Sequence, residues 1–117
     1  MALDFLQMIV EGNIDQAYEK YVDMSGKHHN AYFPAGFHSL KKAMKENHKQ
    51  FPHKQLAMKH ALADGDFVAV HSHVVLTPGE AGIAVVHLFR FDGGKIVEMW
   101  DCGQVLNKDS PNKDGAF

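Results

Sequence analysis

Ile83-Ala-Val-Val-His87-Leu-Phe-Arg-Phe91-Asp-Gly-Gly94-Lys-Ile-Val-Glu-Met-Trp100-Asp101-Cys102 decides the fold of this chain. Two runs of alternating apolar residues flank Asp92-Gly93-Gly94, a strong hairpin signal. Successive side chains of a strand point to opposite faces, so the register across the turn determines which of them meet. The sequence predicts a three-residue loop, Asp92 to Gly94, with Gly94 in the left-handed position of a bulge. Phe91 then opposes Lys95, Phe89 opposes Val97, His87 opposes Met99 and Val85 opposes Asp101. His87 and Asp101 share a face at diagonal positions, about 7–8 Å apart at Cα. Val85, Phe89, Phe91, Val97 and Met99 line that face as an apolar surround. A two-residue Gly-Gly loop would instead set Trp100 opposite His87 and turn Asp101 away.

The other face of this hairpin carries Ala84, Val86, Leu88, Ile96 and Trp100, interrupted by Arg90 and Glu98. So apolar a sheet side seldom faces water in a small monomer, and the expectation is an isologous homodimer through it, with coverage by the C-terminal tail as the alternative.

Upstream, Phe67 to Leu76 alternates in the same way and carries His71 and His73. Before it, Gln55 to Ala63 alternates Leu56, Met58, His60 and Leu62, then turns at Asp64-Gly65-Asp66. The first half of the chain has helical spacing. Leu3, Phe5, Leu6, Ile9 and Val10 form one short helix ended by Gly12. Ile14, Ala17, Tyr18, Tyr21 and Val22 form a second with Asn13 as its N-cap. Residues 24–37 read as irregular, and a third helix runs from about His38 to Gln50 before Pro52 stops it. Helices first and an antiparallel meander afterwards give an α+β domain over residues 1–106, with a polar tail at 107–117.

Composition narrows function. At 117 residues the chain is one domain, and 45% hydrophobic with 22% charged residues is globular. A net charge of −2 with no basic block argues against nucleic acid as a partner. The first residues, broken by Asp4 and Gln7, make neither signal peptide nor membrane span, so no membrane association is expected. The single cysteine, Cys102, reads as a small buried hydrophobe in a reducing, cytoplasmic setting.

Nine histidines are the unusual feature. His48 and His53 flank a lysine-rich turn and receive no role; His60 reads as a satisfied interior or edge histidine. His71 and His73 share a face, and His73 is a candidate substrate contact. A His-x-His pair joined by His87, His29 or Asp101 would also suit zinc or iron, although the expectation here is chemistry with no metal and no cofactor.

Several ordered segments together resemble the SnoaL-like branch of the nuclear transport factor 2 (NTF2)-like superfamily, which includes polyketide cyclases. They are Tyr21-Val-Asp-Met-Ser-Gly-Lys-His-His29-Asn30, Gly36-Phe-His-Ser-Leu40, Ala63-Asp-Gly-Asp-Phe-Val-Ala-Val-His71, Ala84-Val-Val-His87-Leu-Phe-Arg-Phe and Gly94-Lys-Ile-Val-Glu-Met-Trp-Asp101. The match spans about residues 15 to 106. The resemblance implies an α+β cone, commonly dimeric, with a pocket between helices and a strongly curved sheet. It also implies that Asp101 is the general acid/base, that His87 lies beside it, and that His29 and Asn30 orient the substrate. His28 stands where the family has glutamine, and Ala31 where it has proline.

The function expected from residues and resemblance together is cofactor-independent acid/base chemistry, an aldol-type cyclisation or enolisation, on a small carbonyl compound, the expected partner being a small apolar or carbonyl-containing molecule. Asp101 and His87 are the catalytic candidates. His29, Asn30, His73, Val85, Phe89, Met99 and Trp100 are the substrate-binding ones. A non-enzymatic ligand-binding module and a metal-dependent enzyme centred on His71, His73 and His87 are the competing expectations.

Overall fold

A computed structural model describes residues 1–117. Helix α1 spans Ala2–Glu11 and α2 spans Ile14–Tyr21; strand β1 is Val22–His28 and α3 is Phe37–Gln50. Strands β2 (Gln55–Asp64), β3 (Phe67–Val75), β4 (Ile83–Asp92) and β5 (Lys95–Val105) follow. They form one open sheet in the order β1-β5-β4-β3-β2. No helix is long and apolar enough to cross a membrane.

Each helix forms where apolar residues recur three and four apart. In α1, Ala2, Phe5, Leu6 and Ile9 are buried; in α2, Ile14, Ala17, Tyr18 and Tyr21 are. Gly12 ends α1 with φ 90°, and its N–H bonds back to Ile9, a left-handed cap that favours glycine. The Tyr21 hydroxyl then donates to Asp4, tying the second helix to the first.

Strand β1 was not expected. Asp23-Met-Ser-Gly-Lys lacks the alternating apolar pattern of a strand, because β1 is an edge strand held by parallel pairing with β5. Val22 faces Ile96 and His28 faces Met99, with a register slip between them.

The decisive hairpin also corrects its expected register. Asp92 pairs with Lys95 and Phe91 with Ile96, so the loop has two residues, Gly93 and Gly94, with φ 59° and 79°. Arg90 then pairs with Glu98, which leaves Val97 as the extra residue of a bulge in β5. A two-residue loop alone would have turned Asp101 away; the bulge shifts every later residue of β5 by one and turns it back. Two consequences differ from expectation. His87 pairs directly with Asp101 rather than diagonally, and Ile96 is fully buried rather than on the outer face.

A second bulge, at Lys59 between Met58 and His60, changes β2. Leu56 and Met58 pair with Val74 and Ser72 on the inner face, whereas His60 pairs with outward-facing His71. The four residues expected on one stripe are therefore split between two faces.

The helices cover only the inner face, and the core is the layer between. Phe5 meets Phe89 edge-on at 5.9 Å and Tyr18 at 5.6 Å, and Tyr18 meets Phe37 at 6.4 Å. Burying Phe5, Phe37 and Phe89 contributes about 1.5–3 kcal/mol each. Cys102, expected inside, is exposed at the outer face. Beyond β5 the chain adopts neither helix nor strand, yet Phe117 packs on His71 and His73 at 5.2 and 4.9 Å.

Candidate active site

The inner face holds a small cavity of about 50 Å³ between helices and sheet. Phe5, Leu6 and Ile9 of α1, Leu40 and Met44 of α3 and Met99 of β5 supply its apolar wall. Tyr18 of α2, His87 of β4 and Asp101 of β5 complete it. Such a lining concentrates two ionisable groups and a phenol in an otherwise greasy space.

His87 and Asp101 are cross-strand partners, a position that puts Cβ atoms about 4.5–5.5 Å apart. Burial holds the His87 imidazole below its ordinary pKa, and the Asp101 charge opposes that shift without cancelling it. The ring stacks on Phe89 at 5.9 Å, and its Nδ1 is buried with no hydrogen-bond partner.

Asp101 is held from the other side. The Asn30 amide donates to both carboxylate oxygens, at 3.1 and 3.0 Å. Asn30 is itself fixed by the loop after β1: its side-chain oxygen accepts from the Tyr32 N–H, and its backbone N–H donates to His28 Nδ1. His28 is buried, and its Nε2 donates to the Pro34 carbonyl at 2.8 Å. Both ring nitrogens of His28 are thus used in bracing the loop that carries Asn30, which defines its tautomer.

The nine candidate residues separate by face. Asp101, His87 and Met99 meet in the cavity, and Asn30 reaches it through Asp101. Phe89 is fully buried beneath His87, and Val85 lies one inner-face position along, opposite Gly103. His29, His73 and Trp100 are on the outer face, away from the cavity. His29 stacks on Trp100 at 5.0 Å and bonds to Glu98 at 2.6 Å, while Glu98 also accepts from Arg90. The His29 hydrogen bond, with Arg90 helping, keeps the Glu98 carboxyl below the usual range. His73 bonds to the Ala81 carbonyl at 2.7 Å. The competing grouping of His71, His73 and His87 around one metal does not form, because alternation turns His87 inward and the other two outward.

Two contributors escaped sequence reading. His28 looked like a departure from the family's glutamine, but backbone pairing with Met99 turns it inward. Tyr18 looked like ordinary helix packing, and its side chain is only 1% exposed. Burial alone pushes the Tyr18 phenol well above its ordinary pKa, with no hydrogen bond contributing. Nothing in the helical period marks which buried aromatic ends at a cavity.

Comparison with known proteins defines the class. The SnoaL-like domain family matches residues 2–99, so the chain belongs to that family. The match ends before Asp101 and therefore carries no role for it. Among solved structures, a SnoaL-like protein of unknown function from Burkholderia thailandensis superposes with TM-score 0.73 and 14% identity over 88% of this chain and 91% of that one. An NTF2-like protein of unknown function from Cytophaga hutchinsonii gives TM-score 0.71 and 13% identity over 88% and 86%. A protein named as a candidate polyketide cyclase, from Acidithiobacillus ferrooxidans, gives TM-score 0.69 and 21% identity over 87% and 84%. At such identities the likeness establishes the NTF2-like fold and nothing of the activity. No curated protein matches the sequence significantly.

Proposed function

We propose that this chain performs cofactor-independent acid/base chemistry on a small carbonyl compound, as an enolisation or aldol-type cyclisation. The observation that carries this reading is the opposition of His87 and Asp101 inside one apolar cavity, with Asn30 bracing the carboxylate. Asp101 removes a proton α to the carbonyl. His87, kept neutral by burial, polarises the carbonyl oxygen. A buried ring nitrogen without a partner is better tolerated as a bare acceptor than as an N–H. The proton therefore rests on Nε2, which is the nitrogen left to donate to the substrate. Steps of this kind typically contribute about 10²–10⁴-fold.

The cavity is smaller than a typical ligand pocket of about 300 Å³ or more. Met44 and Met99 are unbranched and adaptable, and their rotation supplies the first additional room. The outer face, where Phe67, Val86 and Leu62 are exposed, supports the accompanying reading of a homodimer that covers it.

Exchange of α-hydrogens tests the chemistry without the natural substrate. Cyclopentanone in D2O should lose its α-protons faster with the protein than in buffer, as read by ¹H NMR. Asp101→Asn should return the rate to the buffer value while leaving the melting temperature nearly unchanged. Full exchange activity in that variant would show that Asp101 is not the base.

A further inference from the structure

We propose that His60 and His71 form a two-imidazole site for a divalent transition metal of the zinc class on the outer face of the sheet, where the ion clamps the edge strand β2 to β3. The site is separate from the cavity, whose His87 lies on the opposite face.

The bulge at Lys59 creates it. That extra residue turns His60 outward and sets it directly across from His71. Cross-strand partners have Cβ atoms about 4.5–5.5 Å apart, close enough for two rings to share one ligand. Here the two Nδ1 atoms lie 3.0 Å apart, and the ring planes are within 7° of parallel. Nitrogens in adjacent positions around a zinc-sized ion, each about 2.0–2.1 Å from it, stand about 2.8–3.4 Å from one another. The backbone register alone therefore spaces the pair for an ion, and a slight turn of each ring brings both lone pairs onto one point.

Protons serve this pair poorly. One proton between the facing nitrogens makes a single hydrogen bond and forces opposite tautomers on the two rings. With none, two lone pairs oppose each other; with two, N–H faces N–H. A cation accepts both lone pairs at once, each ring keeping its proton on Nε2. Neutral imidazole suits zinc, copper and nickel, whereas magnesium and calcium take oxygen ligands. His60 is exposed and β2 is an edge strand, so a hydrated ion reaches the pair from solvent.

The neighbouring groups are engaged elsewhere. His73 donates from Nε2 to the Ala81 carbonyl at 2.7 Å, and Phe117 lies against both His73 and His71. The Lys59 ammonium sits over the Phe117 ring, 5.3 Å from its centroid. No third His, Cys, Asp or Glu joins the pair, so water completes the coordination. His60 and His71 are eleven residues apart in sequence and meet only when β2 pairs with β3, so the ion favours the folded chain.

ZnCl2 titrated into the full chain is the test, read by two-bond ¹H–¹⁵N correlations of the imidazole rings. The Nδ1 resonances of His60 and His71 should move together as zinc is added, and MgCl2 should move neither. This readout needs no variant to fold. H60A and H71A should each bind zinc about tenfold or more weakly, because the second imidazole joins as an intramolecular step. H73A should bind within twofold of the wild-type chain. Zinc should raise the melting temperature of the wild-type chain and leave that of H60A where it was. Still Nδ1 resonances at excess zinc, undiminished binding in H60A or H71A, or an equal loss in H73A overturns the proposal.

Discussion

His87 and Asp101 occupy directly opposed positions on β4 and β5, on the face turned toward the helices. Neither has been brought there by the turn alone. The two-residue Gly93-Gly94 loop and the unpaired Val97 each shift the register by one, and together they set imidazole beside carboxylate.

Protonation of His87 should couple stability to pH. Burial lowers its pKa in the folded chain, so the unfolded chain takes up a proton at that ring first. The stabilisation from a neutral His87 is complete above the unfolded value of about 6.5 and is lost as pH falls through the folded pKa. Urea denaturation between about pH 7 and pH 5 should show stability falling more steeply for the wild-type chain than for His87→Phe. Identical slopes for the two would mean that this ring does not contribute.

Asn30 should matter to rate more than to folding. Its amide holds both oxygens of Asp101 from a loop outside the sheet. Asn30→Ala leaves the carboxylate in the cavity but free to rotate, and misplacement of about 1 Å can cost on the order of 10²-fold. The exchange rate at saturating cyclopentanone should drop by about that factor with little change in affinity. A rate within twofold of wild type would show that the brace is dispensable.

Gly26 should tolerate no side chain. A Cβ there would stand 2.2 Å from the carbonyl oxygen of Val97, at the bulge against which β1 runs. That oxygen belongs to backbone fixed by pairing on both sides of the bulge, so it has little freedom to yield. Gly26→Ala should destabilise by about 1–3 kcal/mol, the usual cost of overpacking, read as a lower urea midpoint at unchanged slope. An unaltered midpoint would mean that β1 does not lie against the bulge.

Ser72 should be replaceable. Its hydroxyl is fully buried on the inner face of β3 and has no hydrogen-bond partner. Removing an unsatisfied buried hydroxyl relieves a desolvation cost, so Ser72→Ala should be neutral or stabilising by up to about 1 kcal/mol. Loss of more than that in thermal unfolding would reveal a partner for the hydroxyl.

Local pattern was enough to mark the helices, four of the five strands, the turns at Gly65 and Gly93, and the family resemblance. Each depends on spacing between near neighbours: Phe5, Leu6 and Ile9 repeat at helical intervals wherever the chain goes, and Asp64-Gly65-Asp66 turns by its own backbone. The sequence also paired His87 with Asp101 on one face, though through a loop of the wrong length. Long-range pairing decided the rest. β1 exists because β5 offers it hydrogen bonds, and His28 and Asn30 face inward while His29 faces outward because of how that edge strand docks. The bulges at Val97 and Lys59 are invisible to a period of two, since one inserted residue reverses a strand's faces without changing its composition. Which faces meet in the cavity, and that Tyr18 joins them, follows from packing the helices over that sheet, a property no stretch of neighbouring residues contains.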